Sequence, residues 1–223
     1  MEQLAEFFAK NGPMLLDGTL ATLVMVFAST LLAYLLGVPI AILVKVTEQG
    51  SLKPQPVLNT VLGWIINMGR SIPFIILMVA IIPFTRLVVG TSLGVLGAIV
   101  PLTVAAVPFV ARLVESSFSE VNPNLVEASL AFGASAPQVI FKVWVREGLP
   151  SLLRGAAITT ITLIAYSAMA GAVGAGGLGD IGIRYGYYRY QSDILLATIV
   201  ILVVVVQVIQ SAFDLVARRI DRR

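Results

Sequence analysis

The sequence predicts an all-α, polytopic membrane protein: five transmembrane helices in a single domain over residues 1–223, with a polar loop of short helices between the third and the fourth. Three observations predict it. Only 12% of the 223 residues are charged and 58% are hydrophobic, whereas a soluble domain carries roughly 25% charged residues to clothe its surface. The mean hydropathy is correspondingly high, +0.95. Five stretches reach the roughly 20 apolar residues that cross a hydrocarbon layer about 30 Å thick. Between two of them, residues 122 to 147 carry helix start and stop signals too closely spaced for a span.

The first span, about 19 to 44, contains no charged residue and leads into the polar loop from Lys45 to Pro56. The second, about 57 to 84, is interrupted by Asn59, Thr60, Asn67 and the unit Gly69-Arg70-Ser71, with Pro73 and Pro83 inside it. Arg70 either anchors at the inner interface by snorkelling, the favoured reading, or lines the pathway. The third, about 93 to 114, holds Pro101 and Pro108; the fourth runs from about 151 to 173 and the fifth from about 194 to 216. Prolines are tolerated in such helices because neighbouring helices and hydroxyl side chains satisfy the freed carbonyls. Glu2 and Glu6 stand where a signal peptide would be basic, so the first helix is expected to be retained.

Orientation follows from the basic residues. With the N-terminus outside and the C-terminus cytoplasmic, the inner side holds Lys45, Lys53, Arg112, Lys142, Arg146, Arg154, Arg218, Arg219, Arg222 and Arg223. The outer side holds only Lys10, Arg86, Arg184 and Arg189, which is the asymmetry that basic residues show across membranes. The 122–147 loop then faces the cytoplasm. Tyr185, Tyr187, Tyr188 and Tyr190 fall at the outer interface, where aromatic side chains suit the headgroup level.

Within that loop, Asn122 is placed to cap a helix whose first residue is Pro123, and Gly133 is placed to end it in the left-handed conformation. Leu125, Ala128, Ser129 and Phe132 share one face. Ser135 and Gln138 form a capping box for a second helix, whose Val139, Ile140, Val143 and Trp144 line one side. At about ten residues, each piece is about 15 Å long and cannot span. Glu127 is an anion beside a membrane surface that is typically negative. The helix dipole or a protein partner offering a cation explains it better than burial against lipid.

Glu127-Ala128-Ser129, three further residues and then Gly133 resemble the E-A-A-x-x-x-G pattern by which permease subunits of bacterial ABC importers engage their ATPases. The likeness extends through RSIPFIIL (70 to 77), IPFTR (82 to 86), VGTS (89 to 92), AIVPLTV (98 to 104), PFVAR (108 to 112) and SAMAGAVGAGGLG (167 to 179), which resemble the permeases of methionine ABC importers. The resemblance implies a type I importer in a bacterial inner membrane. Two copies of this chain would join two cytoplasmic ATPase subunits, which hold ATP and Mg, and an extracytoplasmic methionine-binding lipoprotein. It implies coupling to the ATPase through Glu127, Ala128, Ser129, Gly133 and Ala134, and a gate in the pathway at Met169. Two departures stand out. Ser129 replaces the third residue of E-A-A, and the usual I-x-L-P ending is absent, with Val143, Val145 and Arg146 at those positions.

Other chemistries find little support. The chain has no Cys and no His, which removes thiolate metal sites and the commonest general base. It contains no Gly-Lys dipeptide, so a G-x-x-x-x-G-K phosphate loop is impossible and ATP must bind elsewhere. No cofactor is expected on this chain. A net charge of +3 without an internal basic block gives no nucleic-acid surface. Gly174, Gly176 and Gly179 satisfy G-x-G-x-x-G, but an apolar span precedes them, so close helix packing with Ala168 and Ala172 is the expectation. An importer for another small amino acid or polar solute remains the alternative, ahead of an ion-coupled carrier, which would keep more ionisable residues within its spans.

Overall fold

Residues 6 to 47 hold few charges and two prolines, and the structure makes a single helix of them. The computed structural model describes residues 2–220, with side chains from residue 6 onward; Arg222 and Arg223, counted above on the inner side, lie outside the described residues. Helix α1 runs from Glu2 to Thr47. Its buried stripe is Thr22, Val26, Ser29, Ala33, Gly37 and Ala41, while Leu20, Val24, Phe27, Leu31 and Leu35 are exposed. Met25 and Val26 apart, the inward side chains there are small or hydroxyl-bearing while bulky apolar ones face outward, the arrangement that suits packing in lipid.

The remaining elements are α2 (Pro56–Ser71), α3 (Phe74–Ala80), α4 (Ile82–Val89), α5 (Gly94–Ser119), α6 (Pro123–Ala131), α7 (Ala136–Gly171), the short α8 (Gly177–Ile181), which a π-helical segment continues over Gly182–Tyr187, and α9 (Ser192–Ile220). No strand occurs among the described residues. Helices α1, α5, α7 and α9 are long and apolar enough to cross a membrane, and the pair α2 and α3 passes the same test if counted as one broken span.

Two sequence expectations need correction. The stretch 57–84, read as one span, is three helices: α2 stops at Ser71 and the chain bends by 98° into α3. Pro73 is the cause. Ile72 before it takes an extended conformation (φ −82°, ψ 123°), which the steric clash with a following proline ring favours, and Pro73 caps the next helix. Pro83 likewise sits in the first turn of α4. The second correction concerns the loop. Its second helix is no separate ten-residue piece but the first turns of α7, which continues through Pro150 to Gly171. One proline removes one hydrogen bond, and 36 residues of helix outlast that loss.

The chain divides into two compact units, and the long helices α1, α5, α7 and α9 contribute residues to both. The first comprises residues up to Leu31, Pro73–Val104 and Thr160–Ile209. Its core includes Leu15, Ile181 and Ile194, with Phe7, Met14 and Tyr185 against them. Phe74 and Tyr166 stack with centroids 4.6 Å apart and planes 5° from parallel. The second unit comprises Leu32–Ile72, Ala105–Thr159 and the residues from Gln210 on. There Val44, Ile66 and Ala111 pack with Ile40 and Leu62. Asn59, a polar interruption in the sequence, donates its side-chain amide to the Val44 carbonyl at 2.7 Å, tying the start of α2 to the end of α1. Gly37 lets α1 approach α5 closely, since a Cβ there would stand 2.9 Å from Val110 Cγ1.

Candidate functional site

The polar hairpin belongs to the second unit, and its first arm forms as its local signals dictate. The Asn122 side chain accepts a hydrogen bond from the Asn124 N–H at 3.0 Å, with Pro123 as the first helical residue of α6. Gly133 has φ +83°, a conformation in which a Cβ would be strained. Around it the Gly133 N–H donates to the Leu130 carbonyl at 2.9 Å and the Ala134 N–H to the Ser129 carbonyl at 3.0 Å. These are the two bonds of a Schellman ending, which uses up carbonyls the helix would otherwise leave bare. The Ser135 N–H then donates to Gln138 Oε1 at 2.8 Å, closing the capping box that opens α7.

A widened π-turn, Val139–Trp144, follows and contacts α6. Val139 and Trp144 are buried, and Trp144 stacks on Phe118 of α5 at 5.9 Å between centroids. Burying two such side chains contributes about 1.5–3 kcal/mol each. These contacts anchor the base of the hairpin on α5.

Glu127, Ala128, Ser129, Gly133 and Ala134, the residues the sequence singles out, lie together on this arm. Glu127 lines a cleft of 340 Å³ with Lys45, Glu48, Leu130 and Trp144. Lys45 is already engaged: its ammonium is 2.7 Å from Glu48 and 3.0 Å from the Ser119 hydroxyl. Glu127 is exposed and makes no ion pair among the described residues. As the fifth residue of α6 it also lies beyond the first turn, where the dipole acts. The dipole explanation weakens accordingly. Ser129 donates its hydroxyl to the Leu125 carbonyl at 2.7 Å, so it adds a small side chain and no free polar group.

Sequence reasoning assigned Phe132 to the face of Leu125 and Ala128 without singling it out. It is 92% exposed at the hairpin tip, beside a groove of 410 Å³ lined by Ser129, Gly133, Ala134, Gln138 and Lys142.

The glycine-rich turn belongs to the first unit and is built for space. A Cβ on Gly179 would run into the backbone of Ala168, and one on Gly171 into the backbone N of Asp180. Gly177, with φ +77°, lies where a Cβ would stand 2.7 Å from Thr22 Oγ1 and 2.8 Å from Met25 Cε. The buried Thr22 hydroxyl accepts from the Leu178 N–H at 2.9 Å, a bond across 156 residues that the sequence does not announce. The expected close packing at Ala168 is present, whereas Ala172, paired with it in the sequence reading, is exposed. Met169, between them, is 47% exposed. Beyond the turn, Tyr187, Tyr188 and Tyr190 are exposed, and Arg189 lies over the Tyr185 ring at 4.6 Å. Among the described residues no group of three Asp or Glu side chains gathers in metal-binding geometry.

Long apolar helices with small residues at their contacts, two of them joined through one polar hairpin, are those of a polytopic membrane protein. The chain belongs to the family described as binding-protein-dependent transport system inner membrane component, whose model matches residues 37–223. It is 49% identical over 220 residues to a probable D-methionine transport system permease protein MetI of Vibrio cholerae, covering 99% of this chain and 98% of that protein. The D-methionine transport system permease protein MetI of Escherichia coli is 47% identical over 69% of this chain and 71% of its own. A solved chain of the MetNI methionine ABC transporter, in an inward-facing conformation, superposes with a TM-score of 0.94 at 46% identity, covering 96% of this chain and 99% of that one.

Proposed function

We propose that this chain is the membrane-spanning permease of an ATP-driven methionine importer. The observation that carries the reading is the likeness, over nearly the full length of both chains, to a D-methionine transport permease. Two copies form the pathway, two ATPase subunits with their ATP and Mg bind on the cytoplasmic side, and an extracytoplasmic methionine-binding lipoprotein delivers the substrate. The C-terminus and the hairpin face the cytoplasm, and the N-terminus faces outward. Lipid covers the leucine-rich outer faces of the helices.

Coupling is mechanical. The hairpin follows the ATPase subunits as they close and part, and α7, continuous with it, passes that motion to the first unit. A rigid handle on a bundle with two arrangements is the physical requirement of alternating access. Met169, exposed at the end of the same helix, meets its counterpart across the two-fold axis and closes the pathway with a flexible thioether. Glu127 pairs with a cation of the ATPase, Ala128 and Ser129 allow close approach, and Gly133 with Ala134 shapes the exit from α6.

Proteoliposomes holding the permease and its ATPase, supplied with the binding protein, test this directly. Methionine uptake that requires ATP is the expected result; uptake without the ATPase, or no methionine uptake with all components present, defeats the proposal. In the same vesicles Met169→Ala is expected to raise basal ATP hydrolysis or methionine leak several-fold, and an unchanged leak removes the gate role.

A further inference from the structure

We infer that Arg218 and Arg219, at the end of α9, form a binding site for the phosphate of an anionic phospholipid headgroup. The site requires that α9 crosses the membrane and is independent of the solute the chain carries.

Charge brackets the last helix. Asp193 stands in the first turn of α9 and Arg218 and Arg219 in its last, with Asp214 the one charged residue between them. At about 100° per residue, Val200, Val204, Val208 and Leu215 fall with both arginines inside an arc of about 100°. All six are exposed, the four apolar ones by more than half. Ser211 is the single small residue on this arc between Val200 and Leu215. Branched apolar side chains suit a lipid face, whereas close helix contacts in membranes use small ones. From Val200 to Leu215 the stripe is about 22 Å long at about 1.5 Å per residue, and the arginines follow it within about one turn. A lipid-facing stripe that ends in cations meets headgroups at that end, and the arginine stems prolong its apolar surface.

Neither arginine has an ion-pair or hydrogen-bond partner among the described residues. Asp214 precedes Arg218 by the spacing at which a helix makes ion pairs, yet both its oxygens accept from the Gln210 amide at 3.1 Å. The basic residues near the ends of α1 and α5 are already engaged: Lys45 is 2.7 Å from Glu48, and Arg112 is 2.7 Å from Glu115. At the end of α9 two adjacent guanidinium forks are left open, each able to bind phosphate through two parallel hydrogen bonds. The sequence adds Asp221, Arg222 and Arg223 beyond the described residues, so the excess of positive charge continues. Basic clusters directly beyond a span are what anionic lipid surfaces attract.

The measurement is the affinity of phosphatidylglycerol for the purified whole complex in detergent, titrated and read by native mass spectrometry. The parent is expected to bind it at least tenfold more tightly than phosphatidylcholine. Arg218→Gln and Arg219→Gln are each expected to weaken phosphatidylglycerol about fivefold, the equivalent of about 1 kcal/mol, and to leave phosphatidylcholine unchanged. Lys at both positions keeps the charge without the fork, and is expected to retain more of the preference than Gln at both. Lys53→Gln, which removes an exposed cation from the loop between α1 and α2, is the control and should change nothing. An equal loss at Lys53 would make the attraction a diffuse one and overturn the site, as would an unchanged affinity with Gln at both arginines. Displacement of the lipid by inorganic phosphate at the same concentration would assign the forks to a free anion and overturn the lipid as occupant. The single variants serve where the double one fails to assemble. Lipid affinity is read without transport, so its outcome is separate from that of methionine uptake.

Discussion

Gly133 in the hairpin and Gly179 in the turn after α7 look alike in sequence, each a glycine among small residues, yet they are glycines for opposite reasons. At Gly133 a Cβ would meet nothing within 4 Å, and the requirement is the left-handed φ of +83° alone. At Gly179 the space is taken by the backbone of Ala168. The hairpin is shaped by conformation with its surface left open, whereas the turn is shaped by contact with its surface used up. The first design leaves a surface free for contact, and the second holds helices together.

The largest effect should come from filling the turn. Gly179→Val sets a branched side chain against backbone atoms that cannot swing aside, which costs about 3 kcal/mol or more. The expected outcome is loss of the folded, monodisperse permease in detergent, measured by size exclusion and thermal unfolding. A Val variant as stable as the parent would mean that the contact of α8 with α7 is looser than its geometry indicates.

Gly133→Ala should do less. A left-handed conformation costs an ordinary residue about 1–2 kcal/mol, and here no collision adds to it. The permease is expected to fold and unfold at a slightly lower temperature, while import per ATP falls several-fold as the Schellman ending shifts and the Phe132 tip with it. If stability drops as far as in Gly179→Val, the open surroundings of Gly133 are not those of the assembled protein.

These two regions also divide what was legible in the sequence. Asn122, Pro123, Gly133, Ser135 and Gln138 act on backbone groups one to five residues away, so their types and spacing announced the cap, the Schellman ending and the capping box. Thr22 and Leu178 make an equally specific bond from opposite ends of the chain, and a threonine in an apolar run gives no local sign of it. The prolines show the same limit. Pro73 breaks a helix, while Pro101, Pro108 and Pro150 are carried within helices. A proline's own chemistry is the same at each site, so tertiary packing decides which freed carbonyls find partners. The free state of Glu127 was equally hidden, because it depends on Lys45, 82 positions earlier in the sequence, being already paired with Glu48.

The smallest effect on the isolated permease, and the most informative, belongs to Glu127→Gln. An exposed carboxylate without a partner contributes within about 0.5 kcal/mol to stability, so thermal unfolding should not move. Its affinity for the ATPase subunits should fall about tenfold to a hundredfold, since a hydrogen bond to a charged group is worth about 1.5–3 kcal/mol where it is desolvated at an interface. Ser129→Ala is the control on the same helix: its hydroxyl is satisfied by Leu125, so neither stability nor affinity should change appreciably. Titrating ATPase subunits onto each variant in nanodiscs separates the two. Equal affinity for Glu127→Gln and the parent would show that the hairpin docks through its apolar tip at Phe132, with the carboxylate a bystander. A loss confined to Glu127 would assign the coupling to the one charge that the permease leaves unpaired on the hairpin's first arm.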